Sequence, residues 1–135
     1  MANYNIPIPG WALSEDAVMG VYAILANEKY LYIGKSVFIP KRIAEHMRNL
    51  TREPEKYFGI LPKEIINDEV CISIKLLEVC ICEKELYDRE KYYIKDREPI
   101  LQQNPNSDRC IPQKKRRSAV INALGLQVEA ISRNN

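Results

Sequence analysis

The chain has 135 residues, the length of one ordinary domain, and a net charge of +2 from 20 basic and 18 acidic residues. Its 46% hydrophobic and 28% charged residues are typical of a globular protein, so we expect a buried core and little disorder. No apolar run approaches the roughly 20 residues of a membrane span. The start of the sequence lacks a basic stretch followed by an apolar one, so we expect no signal peptide and a cytoplasmic protein.

Charge is unevenly distributed along the chain. Residues 29–52 and residues 109–135 each carry a net charge of +5, whereas residues 1–28 carry −3 and residues 53–108 carry −5. Two separate basic segments in an almost neutral protein favour a surface that faces a polyanion. An ordinary mixture of solvated charges is the alternative interpretation.

The N-terminal part of the sequence predicts an arm followed by a β-hairpin. Residues 1–19 contain two prolines and a glycine and are interpreted as the arm. Two β-rich runs, residues 20–25 and 30–34, flank a four-residue hairpin signal. Tyr22 and Tyr32 share the less aliphatic type of face on these strands. The loop length decides whether the two tyrosines lie opposite each other or out of register, and the sequence leaves both open.

A helix is predicted at about residues 39–50, because Pro40 suits a first turn and apolar residues recur at helical spacing. Arg42, His46 and Asn49 fall on a neighbouring face of this helix. The stretch that follows, residues 51–69, is predicted to be irregular, with a short helix near its end at residues 63–67.

The second half predicts one more strand and two more helices. The strand covers residues 70–82, and a long helix runs from Glu83 to about Asp96. A loop framed by Pro99 and Pro105 leads to a basic stretch and a last helix, at roughly residues 114–130.

The four cysteines are interpreted as buried thiols of a reducing cytosol rather than as a metal site. Two of them flank a single residue, which is not the C-x-x-C spacing of a zinc ligand pair. The cysteines are Cys71, Cys80, Cys82 and Cys110.

Glu90 is the most informative acidic residue. On the second long helix it lies near the middle of a partly apolar face with Leu86, Tyr93 and Ile94. A carboxylate in that position is costly unless it is paired, solvated in a cleft or bound to a cation. A hard divalent cation held by one carboxylate and several waters is the functional interpretation, and a tolerated glutamate at a helix edge is the alternative.

The side chains around the first helix could act on a phosphate. Arg42 offers a planar fork for its oxygens, and His46 exchanges a proton near neutral pH. The phenols of Tyr22 and Tyr32 have an ordinary pKa of about 10 and become plausible bases only when cations such as Lys35 and Arg42 lower it. Taken alone, each tyrosine could equally be a packing residue.

Five short motifs occur in order: Gly20-Val21-Tyr22, Tyr32-Ile33-Gly34-Lys35-Ser36, Arg42 with His46, Glu90 with Tyr93 and Ile94, and Pro99 with Asn104. In this combination, residues 20–104 resemble the GIY-YIG nuclease superfamily. The first motif has valine where the family name has isoleucine. The resemblance implies an α+β fold, a small three-stranded antiparallel sheet flanked by helices. Residues 20–108 would form the catalytic domain and residues 109–135 a basic C-terminal helical extension.

The resemblance also implies roles for individual residues. One hydroxyl of Tyr22 or Tyr32 would help to activate the attacking water, and Lys35 would lower its pKa. Arg42 would bind the scissile phosphate and stabilise charge in the transition state. His46 would assist proton transfer or orient water.

Two further groups complete the expected site. Asn104 would anchor it by hydrogen bonds, and Glu90 would bind a single Mg²⁺ or Mn²⁺. Residues from the two basic segments would grip the nucleic-acid backbone. These are Lys41, Arg48, Lys114, Lys115, Arg116 and Arg117.

Together these features predict a metal-dependent DNA endonuclease that leaves 5′-phosphate and 3′-hydroxyl ends, compact like a phage or restriction enzyme. One such site cuts one strand, so cutting a duplex requires two encounters or a homo-oligomer such as a homodimer. A non-catalytic nucleic-acid-binding module on the same fold is one alternative. An RNA-specific or junction-specific nuclease is another, since the motifs contact phosphates and not bases.

Overall fold

The computed structural model describes residues 4–5, 18–60, 62–66, 70–103 and 109–129. Within these ranges, no helix is long and apolar enough to span a membrane.

A β-sheet forms the centre of the described structure, with strands in the order β1-β4-β2-β3. The strands are β1 (Tyr4–Asn5), β2 (Gly20–Ala26), β3 (Lys29–Ser36) and β4 (Val70–Val79). β2 pairs antiparallel with both β3 and β4, which confirms the predicted three-stranded antiparallel sheet. β1 adds a two-residue parallel pairing beside β4, within the segment predicted to be an arm. A strand this short has no periodicity from which to predict it.

The sheet is flanked by helices, as expected. They are α1 (Ile39–Arg52), α2 (Glu55–Phe58), α3 (Glu83–Arg97) and α4 (Gln113–Leu124), with a 3₁₀ turn at Pro62–Glu64. The short helix α2 lies in the stretch predicted to be irregular. The 3₁₀ turn stands where a short helix was predicted near residues 63–67, and residue 67 is outside the described residues.

The C-terminal ends of β4 and α4 differ from the prediction for identifiable reasons. The third antiparallel strand ends at Val79 and not at Cys82, because Cys82 is the N-cap of α3 and its Sγ accepts a hydrogen bond from Glu85 N at 3.5 Å. The last helix ends at Leu124, because Gly125 takes the left-handed conformation with φ +64° and caps the helix.

Apolar side chains are buried on both faces of the sheet. One face packs Ile24 and Leu31 against Ile43 of α1 and Val120 of α4. The other face packs its residues, such as Ala23, against α3. Fully burying an aliphatic side chain contributes about 1.5–3 kcal/mol, so both layers hold the sheet. The helix of the basic C-terminal segment therefore shares a core with the sheet, and the boundary drawn at residue 109 stays a prediction.

The outer edge of β3 is covered by the segment that follows α3. Ile100 N donates to Tyr30 O at 2.9 Å, and Leu101 N donates to Leu31 O at 3.0 Å. The main chain of β3 is thereby hydrogen-bonded on this side as well as to β2.

Candidate active site

The two motif tyrosines lie on one face of the β2–β3 hairpin. The strands turn at residues 27–28, which both have positive φ, as a tight two-residue hairpin requires. A register shift then pairs Tyr32 with Ile24 and Tyr22 with Gly34. The rings are therefore diagonal neighbours, with their centroids 6.4 Å apart. The two tyrosines are thus not direct cross-strand partners, which is one of the two arrangements that the sequence left open.

Gly34 leaves room for the phenol of Tyr22. A Cβ atom at Gly34 would lie 2.5 Å from Tyr22 Oη and 2.9 Å from Tyr32 Cε2, both too short for a normal contact. Only glycine lets the Tyr22 ring cross β3 at this point.

We expect Gly34→Ala to destabilise the fold by about 1–3 kcal/mol, because the new methyl group overlaps the Tyr22 ring. The displaced phenol should also reduce any phosphodiesterase activity about 10²-fold, as small misplacements in active sites do. Urea unfolding and plasmid nicking measure the two effects. Gly125→Ala is the matched control, because its left-handed φ is strained at a cost of about 1 kcal/mol but no atom lies near its Cβ. Equal activity of the two variants would contradict the role of Gly34.

His46 joins the tyrosines to α2. Its Nε2 is hydrogen-bonded to Tyr22 Oη at 2.6 Å, and its Nδ1 is hydrogen-bonded to Tyr57 Oη at 2.8 Å. Its ring also lies 5.4 Å from the ring of Tyr32. Burial, assisted by the positive charge of Arg42, lowers the pKa of His46 to about 4. The imidazole is therefore neutral at pH 7, donating from one nitrogen and accepting at the other.

The pKa values of the two tyrosines move opposite to the expectation from sequence. Burial raises the pKa of Tyr22 far above its usual value and raises that of Tyr32 to about 12. The charge and hydrogen bonding of Arg42 do lower the pKa of both phenols, but burial outweighs them. Arg42 therefore acts in the direction expected from the sequence, but the depth at which the side chains are buried, which the sequence does not show, decides the overall shift.

The low pKa of His46 predicts how the free energy of unfolding depends on pH. The unfolded chain, with a histidine pKa of 6.5, binds a proton more readily than the folded chain, so acidification from 6.5 towards 4 favours unfolding. Between pH 7.5 and pH 5.0 the wild type should lose on the order of 2 kcal/mol more than His46→Gln, which cannot titrate there. Urea unfolding at the two pH values measures this difference. Equal losses would show that His46 is not buried in its neutral form.

Arg42 lies on α1 beside the tyrosines and is partly open to solvent. Its Nη1 donates to Glu45 Oε2 at 2.8 Å, and 42% of its side chain is exposed. The same guanidinium acts on the pKa values of both tyrosines and of His46. It is therefore close enough to these side chains to act on them electrostatically and open enough for a phosphate to reach it from solvent.

Glu90 projects from α3 and pairs with Lys35. Its carboxylate is almost fully buried, and its Oε1 accepts a hydrogen bond from Lys35 Nζ at 2.9 Å. Its negative charge raises the pKa of Tyr32, so the two residues are electrostatically coupled. Mg²⁺ prefers oxygen ligands and commonly takes one protein carboxylate and several waters. The side chain thus suits a single Mg²⁺ or Mn²⁺, with Lys35 as the competing cation.

A second group of candidate ligands lies elsewhere in the described residues. Ligand atoms of Glu78, Cys80 and Glu85 lie within 4.8 Å of one another. The Oε1 atom of Glu78 already accepts hydrogen bonds from Arg89 Nε and Tyr93 Oη, each at 2.9 Å. We interpret this group as part of an ion-pair network rather than as the catalytic metal site.

Gln102 makes anchoring bonds of the kind expected from Asn104, which lies outside the described residues. The buried amide of Gln102 accepts a hydrogen bond from Ile33 N at 2.7 Å and donates to Ile33 O at 2.8 Å. Ile33 directly follows Tyr32, so Gln102 fixes the strand that carries this tyrosine. Sequence reasoning missed both Gln102 and Tyr57. Gln102 stands between Pro99 and Asn104 of the last motif, whereas Tyr57, 11 positions after His46, belongs to no motif.

Four of the six basic residues expected to grip nucleic acid are exposed. They are Lys41 and Arg48 on α1, and Lys114 and Lys115 in the first turn of α4. Their assignment to nucleic-acid binding stays a prediction.

The other two basic residues have partners within the chain. Arg116 donates to the main-chain oxygen of Ile111 at 3.1 Å and to that of Lys56. Arg117 pairs with the buried carboxylate of Glu64 at 2.6 Å. Both arginines thus hold α4 against α2 and the 3₁₀ turn. Their part in nucleic-acid binding also stays a prediction.

The hairpin phenols, the neutral imidazole and the guanidinium meet on one side of the sheet, an arrangement suited to phosphate-ester chemistry. The family model described as the GIY-YIG catalytic domain matches residues 18–104, more than half of the chain. The chain therefore belongs to the GIY-YIG nuclease superfamily, whose substrates are nucleic acids. Comparisons with curated proteins and with solved structures gave no match.

Proposed function

We propose that this protein is a metal-dependent DNA endonuclease that leaves 5′-phosphate and 3′-hydroxyl ends. The observation that supports this most is the convergence of Tyr22, Tyr32 and His46 beside Arg42, within hydrogen-bond and ring-contact distances. A neutral histidine held between two phenols beside a guanidinium suits proton handling at a phosphate, and this favours the enzyme over a module that only binds nucleic acid.

The accessibility of the two motif tyrosines differs, and this favours one of them as the group that meets water. Tyr22 is fully buried, whereas Tyr32 is half-buried. We therefore assign water activation to Tyr32, whose phenolate Arg42 would stabilise. Tyr22 and Tyr57 would hold His46 neutral and fix the plane of its ring. The geometry thus assigns Tyr22 a positioning role.

The reaction would proceed as an in-line displacement at phosphorus. Arg42 would bind the scissile phosphate with its planar fork and stabilise the charge that develops on the oxygens. The water oxygen would bond to phosphorus and lose its proton to the phenolate of Tyr32, which forms beforehand when the phenol releases its own proton to solvent. The bond to O3′ breaks, and O3′ takes up a proton from solvent. A divalent cation bound by Glu90 would polarise the phosphate and ease the departure of O3′.

Exposed lysines and arginines would bind the backbone on both sides of the scissile bond. Each phosphate contact adds about one unit to the slope of log K against log salt. Since one site cuts one strand, we propose that duplex cleavage takes two encounters or a homodimer. We also propose that the protein acts in the cytoplasm as an enzyme of phage or restriction type.

Nicking of supercoiled plasmid tests this function directly. With Mg²⁺ the protein should convert supercoiled plasmid to open circles, and excess EDTA should stop the conversion. Ligation of the nicks without prior phosphorylation would demonstrate 5′-phosphate and 3′-hydroxyl ends. Binding of the plasmid without nicking would instead identify a non-catalytic module, and cleavage of RNA but not DNA would identify a ribonuclease.

A further inference from the structure

A cavity of about 340 Å³ opens beside the catalytic side chains. One wall consists of Tyr32, His46 and Tyr57. Two of these three aromatic rings are fixed, because Tyr57 and His46 are hydrogen-bonded to each other at 2.8 Å. The cavity therefore has a rigid aromatic side that borders the phenol assigned to water activation.

The rest of the cavity is lined partly by residues outside the matched catalytic domain. Cys110 and Gln113 contribute from the segment before α4 and from its first turn, and Asn49 contributes from α1. The amide of Gln113 is held in place, because its Nε2 donates to Lys56 O at 2.9 Å. This part of the cavity is thus an addition of this chain to residues 18–104.

The lining suits a planar heteroaromatic group with polar edges. Aromatic side chains offer stacking surfaces to nucleobases, and side-chain amides can pair with base edges. The volume falls within the range of small-molecule pockets, and the fixed side chains reduce the entropy lost on binding. The cations of the lining already have partners, since Lys56 pairs with Glu53 and Arg116 donates to main-chain oxygens. A phosphate alone would compete with these partners and would leave the aromatic wall unused.

We propose that this cavity receives one unpaired nucleobase of the substrate strand, next to the scissile phosphate. The proposal rests on the proposed function, since Arg42, on the same helix as His46 of the cavity wall, would hold that phosphate. A base stacked in a duplex must be unstacked before it can enter, and an unpaired base avoids most of that cost. Strands that contain an unpaired nucleotide are therefore the preferred substrate class.

Binding in EDTA separates this proposal from cleavage. Fluorescence anisotropy would compare a fully paired duplex with the same duplex carrying one bulged adenine. The wild type should bind the bulged duplex about tenfold more tightly, the scale of one base stacked on an aromatic side chain. Gln113→Trp, which fills the cavity, should bring this ratio close to one. Ser118→Trp, on the same helix but outside the cavity, should keep it.

Alkylation of Cys110 by N-ethylmaleimide provides a test without any substitution. The bulged duplex should slow the modification of Cys110, read by peptide mass spectrometry, whereas the exposed Cys71 and Cys82 should react at unchanged rates. The fully paired duplex should protect Cys110 less. Protection by free dAMP to the same degree would show that the cavity binds a nucleotide irrespective of the strand.

The outcomes of these experiments distinguish the base pocket from the proposed nuclease activity. Equal affinity for both duplexes would overturn the base pocket, and so would a preference that survives in Gln113→Trp without protection of Cys110. A protein that shows the preference but never nicks plasmid would keep the pocket and lose the nuclease assignment. A protein that nicks plasmid but binds both duplexes equally would keep the nuclease assignment and lose the pocket.

Discussion

Arg42→Ala should slow plasmid nicking about 10²–10³-fold, the usual loss when one group that stabilises transition-state charge is removed. The guanidinium acts electrostatically on both phenols and on His46, and its side chain is partly exposed to solvent. Arg42→Lys should recover only part of the rate, because an ammonium keeps the charge but lacks the planar fork. Single-turnover rates at saturating protein measure the effect.

Arg48→Ala is the matched control for this prediction. Arg48 lies on the same helix and is exposed, but it does not enter the pKa shifts of the tyrosines. Its loss should leave the rate within a few-fold and lower the salt dependence of binding by about one unit. If Arg42→Ala instead behaved like Arg48→Ala, the phosphate would have to bind elsewhere.

Glu90→Gln should reduce Mg²⁺-dependent nicking about 10²–10³-fold, because a bound cation contributes several kcal/mol to the stabilisation of the transition state. The change keeps the shape of the side chain and removes its charge. Lys35, with 30% of its side chain exposed, can turn its ammonium towards water when its partner becomes neutral. The fold should therefore remain intact, as circular dichroism would show.

Electron paramagnetic resonance of Mn²⁺ reports the same site without catalysis. Wild-type protein should bind one Mn²⁺ that Glu90→Gln loses. Glu78→Gln is the matched control, since Glu78 belongs to the other group of candidate ligands, together with Cys80 and Glu85. Loss of Mn²⁺ binding in Glu78→Gln but not in Glu90→Gln would move the metal site to that group.

The sequence predicted the parts of the site that follow from local spacing. The alternation of residues in β2 and β3 placed both tyrosines on one face. The four-residue step from Arg42 to His46 put these side chains on one side of a helix. The position of Glu90 on a partly apolar helical face indicated its burial, and the structure shows it almost fully buried.

Features that depend on contacts between distant segments could not be predicted in this way. Tyr57 reaches His46 across 11 positions, and Gln102 reaches Ile33 across 69 positions. The pKa of Tyr32 depends on how deeply its ring is buried, a property of the whole packed structure. Arg117 pairs with Glu64 across 53 positions, a contact that the local sequence does not indicate.

The covered edge of β3 also restricts how two copies of this protein could associate. An exposed edge strand can recruit a strand from a neighbouring molecule and so build a continuous sheet across two subunits. Here Ile100, Leu101 and the amide of Gln102 already hydrogen-bond to the main chain of β3 at residues 30, 31 and 33. A neighbouring copy that extended the sheet there would first have to displace this segment, so we expect a dimer that places two sites on opposite DNA strands to form through another surface.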